Sequence, residues 1–291
     1  MSLNLIAAPL NFAPVLSLQE QNVNLTKQEL SSSSKAPQKN NFDSWGVKIT
    51  AESAAILDLA SGAILWQKNA EEVRSLASIT KLMTTLVFLE HNPGWNKSVT
   101  MQISDEVGGA APNILRGETV TVKDLFYAGL IASDNNAINA LVRSTGIAKN
   151  DFIKLMNQKA ESLGLKNTHF EDLTGLTDQN HSTALEILQL AKIALENKDI
   201  QAATEKRIYN FNDFSGRAHK IFSTNKLLDS YLDIIAGKTG FINSAGYCLV
   251  SEARSKDGHK IIGVVLGSKT HEDRFQDLKI LLAWTLNNFN W

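Results

Sequence analysis

The stretch 246–266, GYCLVSEARSKDGHKIIGVVL, decides the fold because it places two apolar runs on either side of a tight turn. The runs Gly246 to Ala253 and Lys260 to Leu266 are rich in aliphatic and β-branched residues, which is typical of strands. Between them lies Lys256-Asp257-Gly258, in which Asp-Gly is a strong hairpin turn signal. The stretch therefore predicts an antiparallel hairpin near the C-terminal end.

A second hairpin is predicted near the other end of the chain, where Ala54 to Leu59 and Ala63 to Trp66 flank a turn at Ser61-Gly62. The residues between the two hairpins show helical periodicity and helix-capping signals. The predicted helices include the one containing Lys81 and others at about 121–131, 136–142, 151–163, 183–194 and 272–288. Strands at both ends with helices between them predict an α+β fold: an antiparallel sheet built from both chain ends, flanked by helices, with a mainly helical middle subdomain.

The composition excludes several classes of function. The chain has 29 basic and 30 acidic residues out of 291, and the basic residues are dispersed, so we expect no nucleic-acid partner. A single cysteine, Cys248, cannot form an internal disulfide or a thiolate zinc site. The six histidines lack the close spacings typical of metal ligands, so we expect neither a metal nor a cofactor.

The N-terminal part differs in composition from the rest. Residues 1–44, rich in Gln, Asn, Ser and Lys after residue 17, are interpreted as a disordered lead or tether, and 45–291 as one folded domain. The start, MSLNLIAAPL, lacks the basic residues of a signal peptide and is interrupted by Asn4 and Pro9. The sequence has no run of 18 apolar residues that would predict a membrane-spanning helix.

The stretch 76–85, LASITKLMTT, places Ser78 and Lys81 three residues apart at the start of a strongly apolar helix. Either Lys81 extends from the helix edge into water, or its burial lowers its proton affinity so that it can deprotonate Ser78. The same Ser-x-x-Lys spacing occurs at Ser32–Lys35 and Ser223–Lys226, where no apolar helix follows. Context therefore favours Ser78 as the candidate nucleophile.

Two further motifs support this interpretation. Ser133-Asp134-Asn135 follows a predicted helix, and Lys238-Thr239-Gly240 precedes a strand-like pair of residues. Alone, the first could be a polar turn and the second a sheet edge with a solubilising lysine. Together with Ser78-x-x-Lys81, in this order, they form the signature of class A β-lactamases and penicillin-binding proteins.

From about Trp45 to Phe289 the chain resembles D-alanyl-D-alanine carboxypeptidases, the low-molecular-mass penicillin-binding proteins of the serine peptidase type. The resemblance extends beyond the three motifs to 163–170, 175–176, 181–184, 245–247 and 267–274. The chain departs from the family pattern in two places. It ends at Trp291, so we expect no C-terminal β domain, and Asp134 replaces the glycine usual in Ser-Gly-Asn.

The resemblance implies a catalytic role for four side chains. Ser78 would attack the carbonyl of the penultimate D-alanine, and Lys81 would act as its general base. Ser133 and Lys238 would relay a proton to the leaving amine. The backbone N–H groups of Ser78 and Phe241 would form the oxyanion hole.

The resemblance also implies a set of substrate-binding residues. Asn135 would hold a substrate amide, and Gly240 would let the substrate lie along the strand. Thr239 and Arg274 are candidates for binding the terminal carboxylate, although Arg274 could equally form an ion pair at a helix start.

The implied function is removal of the terminal D-alanine from peptidoglycan stem pentapeptides, without a cofactor, by an enzyme that binds β-lactam antibiotics covalently. This implies an extracytoplasmic location and allows a membrane tether outside this chain. A DD-endopeptidase, a class A-like β-lactamase and a non-catalytic binding module remain alternatives. A β-lactamase needs a glutamate for deacylation, and Glu171 is interpreted instead as a surface residue, which predicts slow release of penicillin.

Overall fold

The computed structural model describes residues 35–40 and 46–291. In it the two predicted hairpins join into one five-stranded antiparallel sheet, whose strands lie side by side in the order 233–242, 246–254, 260–268, 53–58 and 64–68. The strands are β1 (Gln38–Lys39), β2 (Ser53–Asp58), β3 (Ile64–Lys68), β4 (Arg74–Ser75), β5 (Ser98–Thr100), β6 (Thr119–Thr121), β7 (His181–Ser182), β8 (Ile208–Asn212), β9 (Ala218–Phe222), β10 (Asp233–Ile242), β11 (Gly246–Arg254), β12 (Lys260–Ser268) and β13 (Phe289–Asn290). Because β2 pairs with β12, the sheet unites the two ends of the domain, and the predicted α+β architecture is confirmed.

The helices occupy the positions that the capping signals predict, with ends that differ by a few residues. They are α1 (Lys81–Glu90), α2 (Val122–Ile131), α3 (Asn135–Ser144), α4 (Lys149–Ser162), α5 (Ala184–Glu196), α6 (Lys198–Thr204) and α7 (Asp273–Asn288). Helix α6 and the hairpin β8–β9 were not predicted. The signal in the sequence is weak because the two strands are short and polar residues such as Asn210, Asn212 and Lys220 interrupt their apolar residues.

Side-chain caps fix where the helices of the middle subdomain begin. At α2, Thr121 and Asp124 form a reciprocal capping box. At α3, the Asp134 carboxylate accepts a hydrogen bond from the N–H of Ala137. Asp134 thus begins the helix that carries Asn135, and it places the second motif at a helix N-terminus.

The sheet is covered on both faces. One face contributes Ala55, Val250 and Val264 to the larger core, which the helices of the middle subdomain complete. The opposite face packs against α7, where buried leucines such as Leu278 each contribute roughly 1.5–3 kcal/mol. A Cβ at Gly263 would lie 2.6 Å from Leu278 Cδ1, so this glycine permits the close approach of α7 to the sheet.

The predicted lead, 1–44, lies outside the described residues except for 35–40. Within that segment, Gln38 and Lys39 of β1 pair with Asn290 and Phe289 of β13. In the part of the chain that the structure describes, no helix has both the length and the apolar character needed to cross a membrane.

Candidate active site

Ser78 lies in a 3₁₀ turn, Ala77–Thr80, which leads into α1 rather than forming the first turn of that helix. Residues three apart in a 3₁₀ turn are eclipsed, so Ser78 and Lys81 point to the same side. The Ser78 Oγ and Lys81 Nζ atoms are 2.7 Å apart. Ala77 has a φ of 47°, in the left-handed region, which shows that the backbone bends sharply just before the serine.

Lys81 is fully buried, so it does not extend into water. Its Nζ lies 2.7 Å from Asn135 Oδ1 and 2.9 Å from the carbonyl oxygen of Thr174. A neutral amine has two N–H donors for these oxygens and keeps its lone pair for the Ser78 hydroxyl proton. Burial lowers the pKa of Lys81 to about 7, although the charges of Asp172 and Asp134 act against this shift. The geometry and the pKa are those of a general base.

A second lysine–serine pair faces the first. Lys238 Nζ donates hydrogen bonds to Ser133 Oγ at 2.8 Å and to the carbonyl of Thr239 at 2.9 Å. Burial, followed by the positive charges of Lys81 and Arg274, holds the pKa of Lys238 well below its usual value. Ser133 has a φ of 61°, a strained conformation for a serine, of the kind that clusters at functional sites.

Strand β10 is an edge strand of the sheet, and it lies beside the turn Ala77–Thr80, which carries Ser78. A Cβ at Gly240 would lie 3.0 Å from the carbonyl oxygen of Leu76 and 3.1 Å from the backbone nitrogen of Ser78. A side chain at position 240 would therefore push the strand away from the nucleophile. An open strand edge also offers backbone groups to which an extended peptide can pair.

Arg274 lies at the end of this strand edge. Its Nη1 donates to the carbonyl of Gly240 at 3.1 Å, and its guanidinium lies 4.7 Å from the ring centre of Phe275. Among the residues that the structure describes, no carboxylate forms an ion pair with it, and its buried Nε atom has no hydrogen-bond partner. The ion-pair alternative for Arg274 is therefore not seen, and the guanidinium retains a free donor.

A cleft of about 1080 Å³ gathers the predicted residues. Its lining includes seven of them: Ser78, Ser133, Asn135, Thr239, Gly240, Phe241 and Arg274. Lys81 and Lys238 lie beneath the cleft surface, and each is hydrogen-bonded to a serine that lines the cleft. All nine predicted site residues thus belong to one site.

Several residues of the site were not predicted. Asp172 organises the loop beside Lys81: its carboxylate accepts the N–H groups of Thr174, Gly175, Leu176 and Thr177 at 2.5–2.9 Å. These bonds aim the Thr174 carbonyl at Lys81. The only signal in the sequence is a turn-like Thr174-Gly175, which does not reveal the role of a backbone oxygen.

Thr224 was also missed, because Ser223-Thr224-Asn225 has the form of a chance polar turn. The Thr224 hydroxyl lies 2.6 Å from the Thr239 hydroxyl and lines the cleft. By contrast, Lys226 of the Ser223–Lys226 spacing is exposed, and it pairs with Glu272 at 2.7 Å. The spacing alone therefore does not define the site.

Glu171 lies away from the cleft lining. Its side chain is 56% exposed and pairs with His169 at 2.7 Å. The neighbouring carboxylate, Asp172, does line the cleft, but its oxygens accept four backbone hydrogen bonds. Neither group is placed to activate a water molecule as a free base.

Comparison with known proteins gives matches over most of the chain. A family model described as D-alanyl-D-alanine carboxypeptidase matches residues 35–270. A D-alanyl-D-alanine endopeptidase of Haemophilus influenzae is 35% identical over 222 residues, which cover 74% of this chain and 74% of its own. A D-alanyl-D-alanine carboxypeptidase of Bacillus subtilis is 31% identical over 245 residues, covering 82% of this chain and 63% of its own.

Solved structures agree with these matches. The Streptomyces K15 DD-transpeptidase superposes with a TM-score of 0.78 at 29% identity, covering 82% of this chain and 98% of its own. Penicillin-binding protein D2 from Listeria monocytogenes, in an ampicillin-bound form, superposes with a TM-score of 0.71 at 29% identity, covering 83% and 99%.

Proposed function

The chain belongs to the D-alanyl-D-alanine carboxypeptidase family. We propose that it removes the terminal D-alanine from peptidoglycan stem pentapeptides, and that Ser78 is the nucleophile in this reaction. The enzyme class, a serine-type D-Ala-D-Ala peptidase, is the one that the three motifs predicted. The observation that carries the proposal is the contact between Ser78 Oγ and a fully buried Lys81 Nζ at 2.7 Å.

Acylation begins when Ser78 Oγ attacks the carbonyl carbon of the penultimate D-alanine and its proton passes to Lys81. The backbone N–H groups of Ser78 and Phe241 stabilise the negative charge on the carbonyl oxygen. When the C–N bond breaks, the leaving D-alanine amine takes a proton through Ser133 and Lys238, which are 2.8 Å apart. A water molecule then attacks the ester: its oxygen joins the acyl carbon, Ser78 Oγ leaves and takes back the proton held by Lys81, and the proton of the water restores Lys238.

Substrate binding uses the remaining cleft residues. Asn135 is held by Lys81 and by the carbonyl of Gly108, so its amide has a fixed orientation toward the substrate backbone. The substrate pairs with the open edge of β10 beside Gly240. Thr239 and Arg274, which both line the cleft, bind the terminal carboxylate.

The rate of acylation should depend on pH through Lys81. Below its pKa of about 7 the lysine is an ammonium ion and cannot accept the Ser78 proton. The second-order rate constant for acylation by a fluorescent penicillin should therefore fall about tenfold per pH unit below the pKa and level off above it. Stopped-flow measurements between about pH 5.5 and pH 8.5 would show this, with circular dichroism confirming that the fold persists. A flat profile would contradict the role of Lys81 as base.

The penicillin adduct should persist. Glu171 is exposed and Asp172 is engaged with backbone N–H groups, so neither of these two carboxylates is placed to activate water as the glutamate of a class A β-lactamase does. Mass spectrometry should show one β-lactam bound to Ser78 for minutes or longer. Turnover of penicillin within seconds would instead support the β-lactamase alternative.

A DD-endopeptidase is the second candidate, favoured by the 35% identity with the Haemophilus influenzae endopeptidase. The segment that contains Gly109 and Ala110 forms one rim of the cleft, where a cross-linked peptide would pass. Digestion of cross-linked muropeptides beside monomeric pentapeptide separates the two activities. Release of D-alanine alone supports the carboxypeptidase, and separation of cross-links supports the endopeptidase. A penicillin adduct with neither product would identify a non-catalytic binding module.

The location follows from the substrate. We propose that the protein works outside the cytoplasm, where peptidoglycan is accessible, and that 17–44 tether the domain to the envelope. Cell fractionation tests this: an envelope-associated or periplasmic protein agrees with the proposal, and a protein confined to the cytoplasm contradicts it.

A further inference from the structure

A second cluster of ionisable side chains lies outside the cleft, where the hairpin β8–β9 meets the strand β6. Glu118 directly precedes β6, Asp213 follows β8, and His219 lies in β9. One potential ligand atom from each of these residues lies within 4.8 Å of the others. The mechanism at Ser78 uses none of them.

His219 presents a buried nitrogen to this cluster. Its Nδ1 lies 3.2 Å from the carbonyl oxygen of Asn113, and because a carbonyl can only accept, Nδ1 carries the proton. The lone pair of a neutral ring is then on Nε2. The side chain is only 9% exposed, and no described residue forms a hydrogen bond with Nε2, which lies 3.6 Å from Glu118 Oε2. A lone pair and a carboxylate oxygen at this distance can bind the same cation.

The carboxylates are held in place by the surrounding backbone. Asp213 Oδ1 accepts the N–H groups of Ser215 at 2.9 Å and Arg217 at 2.8 Å, and the Ser215 hydroxyl at 2.7 Å. These three bonds use Oδ1 and not Oδ2. Glu118 Oε2 accepts the N–H of Leu115 at 2.7 Å, and a carboxylate oxygen can accept more than one partner.

The charges of the cluster do not cancel. Arg217 pairs with Glu118, and its side chain is 59% exposed. It supplies one positive charge beside the two carboxylates of Glu118 and Asp213. A divalent cation at the cluster would offset the remaining negative charge.

We propose that Glu118, Asp213 and His219 bind a zinc ion. Zinc accepts imidazole nitrogen and carboxylate oxygen at about 2.0–2.2 Å, which places neighbouring ligand atoms roughly 3.3–3.6 Å apart. The spacing of 3.6 Å between His219 Nε2 and Glu118 Oε2 already fits this range. The imidazole favours zinc over magnesium or calcium, which prefer oxygen ligands alone. The hydrogen bond from Nδ1–H to a backbone carbonyl is the outer-shell contact typical of zinc-binding histidines.

The proposed zinc site is linked to the cleft through Asn113. The N–H of Asn113 donates to Asp134 Oδ2 at 2.6 Å, and its carbonyl accepts from His219. Three to four residues before Asn113, Gly109 and Ala110 line the rim of the cleft. Zinc would thus fix the hairpin β8–β9 to the segment that forms one rim of the cleft, which is a structural role.

Zinc content and thermal stability test the proposal. The protein is stripped with a chelator, dialysed against zinc chloride and analysed by mass spectrometry for bound metal, beside the variants His219→Gln and His169→Gln. His169 is the matched control because its exposed ring lies 5.7 Å from the ring of His181, measured between ring centres, and this pair could bind zinc adventitiously. The native chain and His169→Gln should retain about one zinc, and His219→Gln should retain less than about a tenth of that.

Differential scanning fluorimetry gives an independent readout. With free zinc at about 100 times its Kd, the melting temperature should rise by about 5 °C in the native chain and in His169→Gln, but not in His219→Gln. Magnesium should give no such rise. A covalent penicillin adduct on Ser78 verifies that His219→Gln is folded, and Glu118→Gln takes its place if it is not. Equal zinc in all variants, loss of zinc in His169→Gln alone, or no zinc in the native chain would overturn the proposal.

Discussion

Replacement of Lys81 by methionine should lower the second-order rate constant for acylation of Ser78 by penicillin by a factor of about 10³ or more. Methionine has nearly the volume of lysine, so the fully buried slot stays filled, but no group remains within reach of the Ser78 hydroxyl proton. The carbonyl of Thr174 loses a donor, and this cost is partly offset because a desolvated amine is no longer buried. We therefore expect the melting temperature to change by only a few degrees.

Lys226→Met is the matched control for this variant. Lys226 has the same three-residue spacing, after Ser223, but it is exposed and pairs with Glu272. Stopped-flow acylation of this control should proceed at the native rate. Native acylation by Lys81→Met would show that another group takes the serine proton, and it would leave Lys81 with a structural role.

Replacement of Gly175 by alanine should destabilise the domain by more than about 3 kcal/mol and abolish acylation. Gly175 has a φ of 82°, and a Cβ there would lie 1.8 Å from the carbonyl oxygen of Ala77 and 2.9 Å from Thr80 Oγ1. The clash is with the backbone of the nucleophile turn, which can relieve it only by moving Ser78. The Thr174 carbonyl would move with the loop, so Lys81 would lose its orientation as well.

Gly164→Ala separates the clash from the backbone strain. Gly164 also has a positive φ, of 74°, but no atom lies within 4 Å of the position of its Cβ. Alanine there should cost only about 1–2 kcal/mol and leave acylation unchanged. Urea unfolding of both variants measures the difference. Equal losses of stability would mean that the contact with Ala77 is not the source of the effect.

Much of the fold could be predicted from local patterns. The Asp257-Gly258 turn and the apolar runs beside it specify β11 and β12, and the capping residues Thr121 and Thr183 mark the starts of α2 and α5. These signals are local, since each depends on residues within one turn or one strand. The hairpin β8–β9 was missed because its residues are mostly exposed or half buried and therefore carry little apolar periodicity.

The side chains proposed to be catalytic could be predicted because three short motifs occur together. The groups that contact them could not be predicted from the sequence. The Thr174 carbonyl accepts a hydrogen bond from Lys81, and the Thr224 hydroxyl contacts the Thr239 hydroxyl. Neither a backbone oxygen nor a single threonine leaves a distinctive pattern in the sequence. The histidine of the proposed zinc site was overlooked for a similar reason, since Glu118 and His219 are far apart in sequence and show no ligand spacing.

The sequence by itself determined most of the helices and the main hairpins, because hydrophobic periodicity, capping and turn preferences act over a few residues, and its three motifs determined which side chains are proposed to carry the chemistry. Only the tertiary structure decided the protonation of Lys81. Its pKa of about 7 depends on burial beneath segments that include Thr174, 93 residues away. Likewise, Ser133 and Lys238 meet across 105 residues. Burial and electrostatic contact depend on distance in space, which the order of residues along the chain does not give.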